Sequence, residues 1–457
     1  MQPYLQDLSG KGKLPIRAFS GINTGISPLL IEDGQAEDMC NLDTRDYPLL
    51  KTRTGREVIA ELSGEVRYLG SILGETLTAV EGNVWKSYDF DTGAWTNIKT
   101  GMSGTGRGES IEFVDQTIYV NGTTNYYRKH DTGAVGTFEK MPPVKALALS
   151  TNKLFGIEGM FLHYSGLRQP HVWNDPTKES SQIEVETPNG EELSAITEFS
   201  GYIVCFKPHS THELYGNRFA NFDFNIVSDT IGCMAQRSIC KVKTQMFWLG
   251  AKSVYRYIGG SSLADIGATI KRYIDNAGDM SDACAGSDGE RYYLSLPQKD
   301  GKNILLVYDT RTGIWTAEDD AGFIDFTIVK NELYGLSSDG KIYKMVSDTE
   351  DTVDWHWHSK WFSSGTPSEK QNWYGVYITA EGEGSINVDA ENNKGQSAAT
   401  SERVYAGVLN GGLQIIRVNI GSAWGHNSDW LQLKISGTGN CKIHSIERDV
   451  RTRKGTY

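Results

Sequence analysis

One phrase recurs along the chain and narrows what it can fold into. It reads Tyr88-Asp89-Phe90-Asp91-Thr92-Gly93-Ala94-Trp95, and returns as Tyr308-Asp309-Thr310-Arg311-Thr312-Gly313-Ile314-Trp315. A degraded copy is His130-Asp131-Thr132-Gly133-Ala134-Val135. The physics is that of a β-hairpin. A strand ends at Tyr-Asp, an Asp or Thr side chain caps the turn, and Gly supplies the positive φ. The Trp or Val then opens the next strand, facing the core.

Short alternating runs fill the space between copies: Gln116–Asn121, Lys153–Ile157, Tyr202–Phe206, Gln245–Leu249, Arg291–Leu296 and Glu332–Leu336. Strands at roughly 8–12-residue spacing are an all-β signature. Four of them fill about 40–45 residues, one propeller blade. The span from Val66 to Ser347 therefore predicts a β-propeller of six or seven blades, assigned to residues 63–350. One interruption is expected over 262–276. There Ser262 caps a helix whose apolar face is Leu263, Ile266, Ile270, Tyr273 and Ile274.

The ends differ from the middle. Residues 1–62 hold few strands and read as an extended arm making oligomer contacts. After the acidic link 347–351, alternating strands at Trp355–Phe362, Tyr374–Ala380, Ser385–Asp389, Gln414–Ile420, Trp430–Ser436 and Cys441–Glu447 predict a C-terminal β-sandwich over 351–457. Glycine, 50 of 457 residues, stands at about 11 % against a usual 7 %. Turn chemistry accounts for it.

The net charge of −12 argues against non-specific binding to nucleic acid or anionic membrane. No apolar run reaches the roughly 20 residues of a membrane span, and the N-terminus lacks the apolar core of a signal peptide. A protein made and kept in a cytoplasm, or leaving it without a signal, is expected. The cysteines Cys40, Cys205, Cys233, Cys240, Cys284 and Cys441 form no CxxC pair and read as free thiols.

Chemistry-bearing clusters are few. Gly101–Gly108 (GMSGTGRG) has no helix after it to meet a phosphate, and reads as a flexible inter-blade loop. Asp89, Asp91, Asp309, Asp319 and Asp320 are the candidates for paired acid/base work of the glycosidase kind. Turn capping is the plainer role. Asp354, His356 and His358 share one face of a strand whose other face carries Trp355 and Trp357, so a two-His metal site is geometrically possible there. Solvent or a partner is the plainer neighbour, with Trp355, Trp357 and Trp361 facing the core. Arg448, Arg451, Arg453 and Lys454 form a basic tail, either solvated or docked on an acidic neighbour. No catalytic, cofactor-binding or metal-binding residue is assigned, and no cofactor is expected.

Three passages carry a family resemblance. They are the arm from Phe19-Ser20-Gly21-Ile22-Asn23 through Asn41 to Lys51-Thr52-Arg53-Thr54-Gly55; Ile203-Val204-Cys205-Phe206 with Ser210-Thr211-His212-Glu213-Leu214-Tyr215; and Val254-Tyr255-Arg256-Tyr257 leading into 262–276, with Cys441–Glu447 as the final strand. In this order they resemble the tail nozzle proteins of short-tailed bacteriophages, of the Salmonella phage P22 type. The resemblance implies a virion structural protein and not an enzyme. Each subunit would be a propeller with added β domains, in a ring (six-fold in the family) below the portal–adaptor complex. DNA would pass through the lumen transiently, and assembly would take place in the bacterial host cytoplasm. A receptor- or glycan-binding propeller of the phage tail is the alternative, with Tyr126, Tyr127 and Trp173 stacking on sugar rings. A kelch-like scaffold is disfavoured because the paired glycines of kelch blades are missing.

Overall fold

The computed structural model describes residues 12–187, 190–216, 218, 221–260, 262–348, 352–363, 369–393, 400–420 and 428–454. Residues 1–11 of the expected arm and 349–351 of the expected link lie outside that set.

The centre is a seven-bladed propeller, every blade a four-stranded antiparallel sheet. Blades one to six begin at Val66, Glu109, Ala146, Ala195, Cys240 and Cys284. Blade seven takes three strands from Phe323–Val329, Glu332–Ser337 and Lys341–Ser347, and its outermost strand from Gly55–Glu61. Ser347 pairs with Gly55 and Tyr343 with Val58. This strand borrowed from the arm shields the blade edge that chain order alone would leave bare. The propeller thus starts eight residues before the boundary expected at 63, because Gly55–Glu61 belongs to it.

The recurrent phrase is a hairpin in each copy. Tyr88 pairs with Trp95 and Tyr308 with Trp315, with ring centroids 5.1 and 5.0 Å apart. In both, the Gly N–H donates to the Asp carbonyl four residues back, at 2.9 Å for Gly93 and 2.8 Å for Gly313. Gly93 and Gly313 have φ of 68° and 74°, which a Cβ would strain. Large side chains then fill the gaps between blades. Trp85 meets Tyr119 between blades one and two (5.5 Å), and Phe206 meets Trp248 between blades four and five (5.0 Å).

The expected helix over 262–276 is mostly something else. Leu263–Asp265 is the outer strand of blade five, and only Lys271–Asp275 is α-helical, after a 3-10 turn at Ala268–Ile270. Ile270 and Ile274 are buried as the helical spacing required. Leu263 is instead held by pairing with Tyr257.

The C-terminal region is one nine-stranded, nearly closed, barrel-like sheet in place of a two-sheet sandwich. Its frame is two strands of 25 residues each, Glu369–Asn393 and Trp430–Lys454, paired along their length. Glycines that read as turns in the sequence sit mid-strand. Gly382 and Gly384 have φ of 134° and 137°. A Cβ on either would come within 2.1 and 1.9 Å of the carbonyls of Asn440 and Thr438. They let the ribbon coil with its backbones in close approach.

The arm lies on its own chain. Gly12–Ile16, Ala36–Cys40 and Leu50–Thr52 join the barrel-like sheet. Phe19 and Met39 are fully buried in a core shared by blades five and six and the sheet, which includes Trp355, Trp357 and Trp373. Asn41 is the joint. It donates to Asp354 O (2.7 Å), accepts from Arg53 Nε and Asp319 N (3.1 and 3.0 Å), and its own N–H reaches Ala317 O.

Candidate functional site

Two places gather polar side chains away from the blade hairpins. The first is the propeller axis. The first strands of the blades surround a cavity of about 590 Å³. The turn Gln236–Ser238, ahead of blade five, contributes Gln236 and Arg237 to its lining. Gln236 accepts from Ile196 N (2.8 Å) and donates to Ile196 O and Glu109 Oε1 (3.0 and 3.3 Å). Arg237 donates to the carbonyls of Arg67, Gly108 and Ile324 at 3.0, 2.6 and 3.2 Å, and pairs with Asp325 at 3.2 Å. One guanidinium therefore links blades seven, one and two across the axis. Burial pushes the Glu109 carboxyl up to about 8, against the smaller lowering effects of the Leu147 N–H, the Arg237 charge and Gln236. Burial likewise raises Asp325. Neither Gln236 nor Arg237 had a sequence signal, since a three-residue turn has no periodicity.

The second place is where the arm, the helix Lys271–Asp275 and the C-terminal sheet meet. Ala36–Cys40 runs antiparallel to Asp354–Phe362, with Asp38 opposite His358 and Cys40 opposite His356. Asp38 Oδ2 lies 3.1 Å from His356 Nε2 and 3.8 Å from His358 Nδ1. Its Oδ1 accepts from Arg272 Nη2 (2.9 Å) and Tyr273 Oη (3.2 Å). Burial alone would raise the Asp38 carboxyl. The hydrogen bond from His356 and the charges of His356, Arg272 and His358 outweigh it and hold the group down to about 2. Burial first, then the His356 charge, lowers His358 to about 4. The acid of this cluster is Asp38, not Asp354, whose side chain is exposed. Sequence adjacency favoured Asp354, whereas only strand pairing brings in Asp38.

The remaining candidates have structural roles. Asp89 and Asp309 cap their turns, accepting from Asp91 N (2.9 Å) and Arg311 N (2.8 Å). Asp319 pairs with Arg53 at 3.1 Å, and Asp320 caps Gly322 N and Phe323 N. Asp309 pairs with Ile314 across the hairpin, five residues along the strand from Asp319. That places the two about 17 Å apart, beyond a glycosidase pair. Tyr126 and Trp173 are buried, Trp173 donating to Pro170 O at 2.6 Å, so neither offers a face to a sugar. Gly101–Gly108 is not slack. A Cβ on Gly106 would lie 2.4 Å from Asn121 O, and one on Gly108 would strike the Tyr119 ring. Trp355 and Trp357 face the core. Trp361 does not, because a register shift between His358 and Trp361 gives the inward place to Phe362. Arg448 is buried against Asp33, with its guanidinium 3.9 Å from the Phe362 ring centroid, and Arg451 covers Tyr374 at 4.7 Å. Arg453 and Lys454 continue the strand. All six cysteines are free. Among the described residues no helix is long and apolar enough to cross a membrane.

No protein-family profile matches the chain, and no curated protein matches it. Solved structures of low identity are similar in shape. The extracellular domain of a one-component system from B. thetaiotaomicron matches at 10 % identity and TM-score 0.46, covering 73 % of this chain and 45 % of that one. A chain of the mitotic checkpoint complex matches at 9 % and 0.44, covering 76 % and 99 %. BamB from Moraxella catarrhalis matches at 10 % and 0.41, covering 73 % and 100 %. The chain spans about half the length of the B. thetaiotaomicron domain.

Proposed function

We propose that the chain is a structural protein of a bacteriophage virion, forming a homo-oligomeric ring of the tail, as nozzle or neck, through which DNA passes. On this reading it catalyses no reaction, and its neighbours are portal, adaptor or other tail proteins. The observation that carries the proposal beyond the sequence resemblance is the exposure of large apolar side chains in two separate regions of the chain. Val408, Leu413 and Ile415 are 61 %, 63 % and 65 % exposed on the strands Thr400–Asn410 and Gln414–Asn419 and the turn between them. Ile26 and Leu30 are 52 % and 74 % exposed in the arm. A head-to-tail ring needs two different surfaces on every subunit, and exposed apolar side chains in two separate regions fit that need.

Two further features agree with this reading. Arg237 bonds carbonyls of three blades at the axis, which leaves DNA no route through a single propeller, so the lumen would lie between subunits. An acidic wall would let DNA slide past without holding it. Negative-stain microscopy of the purified protein and of virions tests the proposal, with rings expected in both. A protein that stays monomeric at high concentration and is absent from particles would overturn it.

A further inference from the structure

We propose that Asp38, His356 and His358 form a binding site for a borderline transition-metal cation, Zn²⁺ by preference, which clips the N-terminal arm to the C-terminal sheet.

Strand geometry comes first. Side chains two apart on a strand share a face, and directly opposed residues of an antiparallel pair point the same way. The pairing of Asp38 with His358, and of Cys40 with His356, therefore puts all three donor side chains on one face. Their ligand atoms all lie within 4.8 Å of one another. Tetrahedral Zn²⁺ with bonds of about 2.0–2.1 Å separates neighbouring ligand atoms by about 3.3 Å. The carboxylate-to-imidazole distances of 3.1 and 3.8 Å bracket that value. The imidazole centroids are 4.7 Å apart, and the rings are tilted by 31°, not stacked flat.

The surroundings are those of a held ligand. Arg272 and Tyr273 engage Oδ1 of Asp38, which leaves Oδ2 aimed at the two imidazoles. Outer hydrogen bonds of this kind orient metal-binding carboxylates. The side chains are about one-third exposed (Asp38 34 %, His356 33 %, His358 27 %), so water can supply a fourth ligand. Two imidazoles with one carboxylate select Zn²⁺, Co²⁺, Ni²⁺ or Cu²⁺ over Ca²⁺ and Mg²⁺. The Arg272 charge sharpens that choice, because it repels cations held by charge alone. The site joins residues 318 apart in the chain, so an ion there would restrain a long loop.

The test uses the full chain after chelator treatment, titrated with ZnCl₂ and, separately, with CoCl₂ as a spectroscopic probe. A single ion per chain is expected, with the intense visible bands of four-coordinate Co²⁺ and a melting temperature that rises with Zn²⁺. His358→Ala and Asp38→Asn should each weaken Zn²⁺ binding by at least about 10-fold and abolish the thermal shift. His444→Ala, which removes an imidazole that pairs with Glu381 elsewhere on the sheet, should change nothing. Should a variant fail to fold, the Co²⁺ spectrum of the unsubstituted chain still decides. An octahedral spectrum, no saturable binding at micromolar metal, or binding unmoved by His358→Ala overturns the proposal.

Discussion

The propeller and the C-terminal sheet are both antiparallel β-structure, built in opposite ways. In the propeller, strands of a few residues turn back at once. Blades one to six are each local in sequence, and cores such as Phe206–Trp248 form between neighbours. In the C-terminal sheet two strands of 25 residues run the whole length, and the remaining strands come from both ends of the chain. Locality explains the difference in how the two hold together. Blades one to six need only their neighbours, while blade seven and the sheet need the arm, and the arm is fastened at the seam between blades six and seven.

Breaking that seam should give the largest effect. Arg56, on the arm strand of blade seven, lies 2.5 Å from Glu318 on the outer strand of blade six. Their side chains are 6 % and 4 % exposed. Arg56 also donates to Asp319 O at 2.7 Å. Arg56→Ala leaves the Glu318 carboxylate buried without its cation, an expected loss of about 3–5 kcal/mol. Chemical denaturation should show the C-terminal sheet and blade seven unfolding earlier, by tryptophan fluorescence. If Arg56→Ala melts like the unsubstituted chain, the seam is not what fastens the arm.

The same locality decided what could be read from the sequence. The hairpins at Asp89 and Asp309 were legible because the turn hydrogen bonds and the Tyr–Trp pairs that make them lie within eight residues. The closing strand Gly55–Glu61 was not, because its partner Lys341–Ser347 is far along the chain and its own sequence, GREVIAE, does not alternate. The mid-strand glycines Gly382 and Gly384 misled for a physical reason. The conformational freedom that makes glycine a turn residue also lets it coil a long ribbon. The candidate metal cluster was half legible. His356 and His358 stood out by alternation, while Asp38 was invisible until pairing set it opposite.

Two copies of one turn provide the intermediate test. Asp309 is 4 % exposed, and its Oδ2 lies 3.5 Å from Arg311 and 4.0 Å from Arg291. Asp89 caps the other copy of the phrase, which differs at three of its eight positions, in the open. Asp309→Ala should cost about 1–3 kcal/mol, since it strips the acceptor from the part-buried N–H groups of Arg311 and Thr312 and a counter-charge from buried Arg291. Asp89→Ala should cost distinctly less, with its N–H groups turning to water. Equal losses in urea melts would mean that the turn itself, not its setting, carries the energy.

The last comparison separates the regions by pH. The propeller axis buries Glu109, held up to about 8, whereas the sheet buries a tryptophan core that does not titrate. In the unfolded chain Glu109 loses its proton near the ordinary glutamate value of 4.5. Between that value and about 8 the folded state therefore binds the extra proton. Stability must then fall as pH rises through the window, by at most about 1.4 kcal/mol per pH unit from this one group. Glu109→Gln keeps the shape and most of the hydrogen bonding without the charge. Its melting temperature should match that of the unsubstituted chain at about pH 5 and exceed it increasingly towards pH 8. Parallel profiles for the two proteins would remove Glu109 as the source. A difference growing towards acid pH would mean that the Arg237 charge, not burial, sets its protonation.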